Sequence, residues 1–166
     1  MFLECKQLFD IPGEKVTIDY ELDLSDYTLF SGKPFRTPIQ IKGVAENRAE
    51  IVSLNMTCSF QMALVCDRCL EDFERTFSYD FSHVLMRDLN SDEDDEYDYI
   101  VVEDNTLDLD DLVVSDILLT LPTKILCKED CEGLCPSCGI NRNVDTCECQ
   151  KKQVDPRLAK LGELLK

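Results

Sequence analysis

Eight of the ten cysteines in this 166-residue chain stand at metal-ligand spacing. Cys66-x2-Cys69 lies near the middle, and Cys127-x3-Cys131-x3-Cys135-x2-Cys138 and Cys147-x-Cys149 follow toward the end. Such a pattern means either disulfides or a metal, and the redox compartment decides between them. The opening MFLECKQLFD lacks the charged start, apolar stretch and small-residue cleavage site of a secretory signal. A reducing cytoplasm is therefore expected, and with it thiolate ligation. Eight thiolates are enough for two tetrahedral zinc ions.

The segment Cys135-Pro136-Ser137-Cys138-Gly139 has the form of a knuckle that turns two thiolates onto one ion, with Gly139 free to take a positive backbone angle. Cys147 and Cys149 complete a tetrahedron with it. Cys66, Cys69, Cys127 and Cys131 remain for a second site, although spacing alone also lets Cys127 or Cys131 exchange with Cys135 and Cys138. A cross-link across so long a loop is worth roughly 4 kcal/mol on the chain-entropy account, before strain. The C-P-x-C of thioredoxin-like enzymes needs a strand-to-helix setting, which the residues around Leu134 do not offer. Four sulfurs close each site, leaving no open position for water and no nearby histidine. Structural zinc is expected, and no enzyme. No phosphate-binding glycine loop, catalytic triad or definable carboxylate pair accompanies them.

The rest of the chain reads as sheet. Val16, Ile18, Tyr20 and Leu22 alternate with polar residues, Ser31-Gly32-Lys33-Pro34 breaks the chain, and Ile39 and Ile41 resume the alternation. A hairpin turn is expected around Asn47. Val52, Leu54, Met56, Cys58, Phe60, Met62 and Leu64 then fill every even position of one long strand with a single buried face. Phe73, Phe77, Tyr79, Phe81 and Leu85 mark the next strand, so Cys66 and Cys69 sit on a turn between two strands. Cys58 is in phase with the buried face and reads as core, as does Cys5, which has no spaced partner; His83 reads as structural. Tyr99 to Val102 is a candidate edge strand. Asp108, Asp110 and Asp111 precede the apolar stripe Leu112, Val113, Ile117, Leu118 and Leu121, which predicts a helix stopped by Pro122. Asp155 to Leu165 predicts a last helix, capped by Asp155 with Pro156 in its first turn. The fold expected is α+β: an antiparallel β-rich core with one or two short helices over residues 1–123, then a cysteine-rich, zinc-ribbon-like module over 124–166 packed on it.

Charge limits the partners. The formal net charge is −17, from 34 acids against 17 bases, and four thiolates around a divalent ion add about −2 per site. A polyphosphate is repelled by such a surface and a cationic protein is attracted. No Lys or Arg occurs between Arg87 and Lys124, and the acidic loop of about 88–111 holds Asp92, Glu93, Asp94, Asp95 and Glu96. That run is read either as a solvated loop or as a docking surface for a basic protein. No apolar run approaches the roughly 20 residues of a membrane span, so a soluble chain is expected.

Cys66-Asp67-Arg68-Cys69-Leu70, the Leu107 to Pro122 segment ending LLTLP, CKEDCEGLCPSCGIN from Cys127 to Asn141, and DPRLAKL from Asp155 to Leu161 occur in succession. In that order, over about 39–166, they resemble the YceD family of large ribosomal RNA subunit accumulation proteins. The resemblance implies a bacterial cytoplasmic factor that supports synthesis, processing or stability of 23S rRNA. Some relatives lack the distal cysteines, which implies that the site at Cys135, Cys138, Cys147 and Cys149 is a stabilising addition. Arg142 stands between Asn141 and Asn143 where the family commonly has an apolar residue. Combined with the charge, the resemblance points to a non-enzymatic assembly factor that holds a basic large-subunit ribosomal protein through Asp92 to Glu96. The alternative is direct rRNA binding by the C-terminal module, whose Lys124, Lys128, Arg142, Lys151, Lys152, Arg157, Lys160 and Lys166 nearly balance its acids. A thiol or metal-dependent enzyme is the remaining alternative, and no small-molecule substrate is evident.

Overall fold

The computed structural model describes residues 1–30, 32–87 and 99–149. The acidic run Asp92, Glu93, Asp94, Asp95 and Glu96, the predicted helix from Asp155 to Leu165, and Lys151, Lys152, Arg157, Lys160 and Lys166 lie outside the described residues. The chain divides into two compact units, Met1–Leu64 with Asp72–Thr123, and Val65–Glu71 with the chain from Lys124 onward.

The first unit is built on a five-stranded sheet of β2 (Lys15–Leu22), β3 (Ile39–Arg48), β4 (Ile51–Val65), β5 (Asp72–Met86) and β6 (Tyr99–Val101), in that order. All even positions of β4 from Val52 to Leu64 are buried, as the alternation requires. Tyr20, Ile41 and Cys58 are partners across β2, β3 and β4 and mark the shared core face. On the opposite face, polar side chains pair between β4 and β5: Thr57 donates to Asp80 at 2.7 Å, Ser59 meets Ser78 at 3.1 Å, and Ser82 donates to Asn55 at 2.8 Å. Gly43 lies opposite Met56 on β3, where a Cβ would stand 2.5 Å from the Asn55 carbonyl oxygen. Only glycine lets the two backbones approach this closely.

The hairpin expected around Asn47 turns at Ala49 and Glu50, whose φ angles are 51° and 68°. Two positive φ values give a two-residue loop the twist its strands need, usually with Asn-Gly. Here Asn47 supports the turn instead: its Oδ1 accepts from the Glu50 N–H at 3.1 Å and its Nδ2 donates to the Leu8 carbonyl at 2.7 Å. Leu8 is the buried residue of a short helix, α1 (Lys6–Asp10), which has too few residues to leave a periodic signal in the sequence. The same holds for β1 (Phe2–Glu4) and β7 (Thr106–Asp108), which pair antiparallel as a separate two-stranded sheet. β6 is the expected edge strand, but it runs parallel to β5, so the larger sheet is mixed.

The predicted helix is α2 (Leu109–Thr120), which starts where the Asp108 side chain accepts the Asp110 N–H at 3.0 Å. Its buried stripe is Leu109, Val113 and Ile117. Two polar contacts fix its course over the sheet: Tyr20 donates its hydroxyl to Asp110 at 2.9 Å, and His83 Nε2 lies 2.8 Å from Asp116 Oδ2. The only histidine is thus engaged inside the first unit. Cys5 and Cys58 are fully buried, and burial pushes each thiol up to about 11, keeping both protonated.

Candidate metal centre

Val65–Glu71 comprises the last residue of β4 and the loop leading to β5, and it carries a knuckle. The backbone reverses through the Leu70 N–H to Cys66 carbonyl bond at 2.9 Å, with Leu70 at φ 60°. This reversal aims the N–H groups of Cys69 and Arg68 at the Cys66 sulfur and that of Glu71 at the Cys69 sulfur. The second knuckle repeats the device. The Gly139 N–H donates to the Cys135 carbonyl at 2.9 Å, Gly139 takes φ 76°, and the N–H groups of Cys138 and Ser137 point at the Cys135 sulfur.

Eight sulfurs gather in two groups, Cys66, Cys69, Cys127 and Cys131 in one and Cys135, Cys138, Cys147 and Cys149 in the other, each with all its Sγ atoms within 4.8 Å of one another. The pairing left open by spacing is thereby resolved, with Cys127 and Cys131 placed beside the first knuckle. Cys66 Sγ is 3.7 Å from Cys131 Sγ, and Cys69 Sγ is 3.6 Å from Cys127 Sγ. A disulfide needs about 2.05 Å. Four sulfurs at 2.3 Å around a tetrahedral ion are separated by about 3.8 Å, which these distances match. The donor set fits a thiophilic metal with closed four-coordination. Three ligands of the first group are buried and Cys127 is half-buried; in the second, Cys135 is buried, Cys147 and Cys149 are half-buried and Cys138 is exposed.

Ionisation of the thiols follows from these surroundings. Burial opposes the Cys66 thiolate, but the N–H groups of Cys69, Cys127 and Arg68 outweigh it and bring its pKa down to about 6. Cys135 falls to about 6 as well, chiefly through the Cys138 and Ser137 N–H groups. Burial, reinforced by the neighbouring thiols, pushes Cys127 up to about 12. Cys149 also rises to about 12, first by hydrogen bonding to Cys138 and then by burial. Each group therefore holds a ready thiolate and at least one thiol that resists ionisation, Cys69 being raised alongside Cys127 in the first. A divalent cation would remove that resistance, because its charge compensates the thiolate that burial disfavours and displaces the proton.

A second layer surrounds the ligands. Arg68 donates to the Cys131 carbonyl at 2.7 Å, Asn143 Nδ2 lies 3.3 Å from Cys131 Sγ, and Arg142 lies 3.8 Å from Cys135 Sγ. Arg142 thus uses its position between the two asparagines to set a cation against a thiolate, which holds its own proton more firmly. Asp67 accepts the Ile125 N–H at 2.7 Å and ties the loop to the segment leading into Cys127. Spacing revealed the eight cysteines that gather in the two groups. It gave no sign of this layer, which depends on contacts between distant parts of the chain.

Among the described residues no helix is long and apolar enough to cross a membrane. No solved structure matches the chain. YlbN of Bacillus subtilis is 34% identical over 162 residues, covering 96% of this chain and 94% of that protein. Rv2926c of Mycobacterium tuberculosis is 34% identical over 102 residues, covering 60% of this chain and 49% of that protein. ML1660 of Mycobacterium leprae is 26% identical over 142 residues, covering 81% and 60%. The family model described as large ribosomal RNA subunit accumulation protein YceD matches residues 54–165, a span that takes in most of β4, both knuckles and all eight cysteines of the two groups. On that match and the full-length similarity to YlbN, the chain belongs to the YceD family.

Proposed function

We propose that this protein is a non-enzymatic, cytoplasmic factor for large-subunit ribosome assembly that supports accumulation of 23S rRNA, with both cysteine groups holding structural zinc. The observation that carries the reading is the closed sulfur set of each group in a chain of this family. Four converging thiols leave no position at which a metal would bind water or substrate, so an ion there would shape the second unit and carry out no reaction. Zinc is favoured over other thiophilic ions because the knuckles, donor number and sulfur separations suit a tetrahedral d10 ion.

The charge supports contact with a protein over contact with RNA. At −17 the chain repels phosphate, and Asp92, Glu93, Asp94, Asp95 and Glu96 offer a basic ribosomal protein a surface that screens it from wrong RNA contacts before delivery. Affinity purification from the native cell, before and after nuclease treatment, tests the reading. Nuclease-resistant recovery of a basic large-subunit protein, lost when Asp92 to Glu96 are changed to Asn and Gln, is the expected result. Recovery of RNA alone, with a steep salt dependence removed by charge reversal at Lys151 and Lys152, would establish direct RNA binding instead.

A further inference from the structure

We propose that the two cysteine groups load metal cooperatively and that Asn143 is the positioning residue that couples them; this rests on the reading that both groups take up zinc. The two groups share one short segment, with Cys131 at one end a ligand of the first and Cys135 at the other a ligand of the second. Between them Gly133 takes φ 74°, and a Cβ there would meet the Arg68 carbonyl oxygen at 2.8 Å. The Leu134 N–H donates to that same carbonyl at 3.0 Å, so the shared segment is moulded against the first knuckle. It also receives the loop between Cys138 and Cys147: Arg142 N–H donates to the Gly133 carbonyl at 2.9 Å, and Cys135 N–H donates to the Ile140 carbonyl at 2.8 Å.

That loop belongs to the second group, since ligands of that group bound it on both sides. Its Asn143 nevertheless serves the first. Asn143 Nδ2 donates to Cys131 Sγ at 3.3 Å, and Asn143 Oδ1 accepts the Glu132 N–H at 2.9 Å. Asn141 aligns the amide by accepting from Asn143 Nδ2 at 2.8 Å and from the Asn143 N–H at 3.0 Å, while its own Nδ2 donates to Glu71 beside the first knuckle at 2.8 Å. A donor aimed at a ligating sulfur stabilises the thiolate and fixes its direction, and loss of such a partner typically costs metal affinity. Metal in the second group holds the loop, the loop holds Asn143, and Asn143 prepares Cys131. By linkage, metal in the first group favours the second by the same factor.

Titration of the metal-free full-length protein with Co²⁺, read by the thiolate-to-metal charge-transfer band, followed by Zn²⁺ competition against a chromophoric chelator, tests this. Cys147→Ser with Cys149→Ser should lower first-group affinity about 10- to 100-fold, and Asn143→Ala should do the same. In the Asn143→Ala background the two serines should add little further loss, because both changes remove one interaction. Asn143→Asp keeps the shape and the acceptor for Glu132 but cannot donate to Cys131, so it should behave like Ala; wild-type affinity in that variant would overturn the role of Asn143. Unchanged first-group affinity in the serine variant, with two metals bound by the wild type, would overturn the coupling alone. Failure of the wild type to bind metal in either group would instead overturn the zinc reading.

Discussion

Cys127 and Cys149, each pushed up to about 12, would enter their groups as thiols at neutral pH, whereas Cys66 and Cys135, at about 6, would already be ionised. Metal loading is therefore expected to release protons, and affinity should fall as pH falls, most steeply once Cys66 and Cys135 also protonate near pH 6. Calorimetry in buffers of different ionisation heat would count the protons; a loading heat independent of buffer would refute it. Gly43 makes a prediction of another kind. A methyl group there meets the Met56 side chain at 3.0 Å but, closer still, the Asn55 carbonyl oxygen at 2.5 Å, a backbone atom that cannot swing aside, so Gly43→Ala forces β3 and β4 apart. A loss of about 1–3 kcal/mol in denaturant unfolding is expected. Neither residue-level effect was legible in the sequence, where Gly43 is one glycine in an alternating run and the cysteines are chemically alike.

At the scale of elements, legibility followed length and periodicity. β4 announced itself because its buried and exposed residues alternate over its whole length, and α2 because an acidic cap precedes an apolar stripe and a proline follows. β1, α1 and β7 gave no such signal. They are held by distant partners, such as the Leu3 to Leu107 register and the Cys5 N–H to Asn105 carbonyl bond at 2.8 Å, which local pattern cannot encode. The direction of β6 was hidden for the same reason, since three residues fit a parallel edge as well as an antiparallel one. The β3–β4 turn carries a testable cost: Glu50 sits at φ 68° without being glycine. Glu50→Gly should stabilise the protein by up to about 1 kcal/mol, once the greater entropy of glycine in the unfolded chain is subtracted from the strain relieved. Thermal melting of that variant would check it, and a lowered midpoint would show that the turn is not strained.

Across the whole molecule, the division into two units separates two sources of stability. The first unit has a continuous buried core on one face of its sheet, while the described buried residues of the second are largely its own cysteines. A unit with so little apolar burial needs cross-links, which metal held by the two cysteine groups would supply. Removal of metal by a strong chelator should therefore release backbone amides in 65–71 and 124–149 to rapid hydrogen exchange, while amides of β3 and β4 stay protected. Uniform loss of protection in both units would argue against independent stabilisation. The spacing of the cysteines disclosed that a second unit existed, but not that the loop between β4 and β5 belongs to it, because membership there is decided through space.

The first sulfur cage takes Cys66 from mid-chain and Cys131 from far downstream. During synthesis it must stand half-built until Cys131 emerges, 65 residues after Cys66. Any ion held there would be captured only after that point, and a product cut short before Cys131 would lack one of its four sulfurs. Metal in that cage would therefore distinguish chains that extend past Cys131 from shorter fragments, a difference written into the order of the residues.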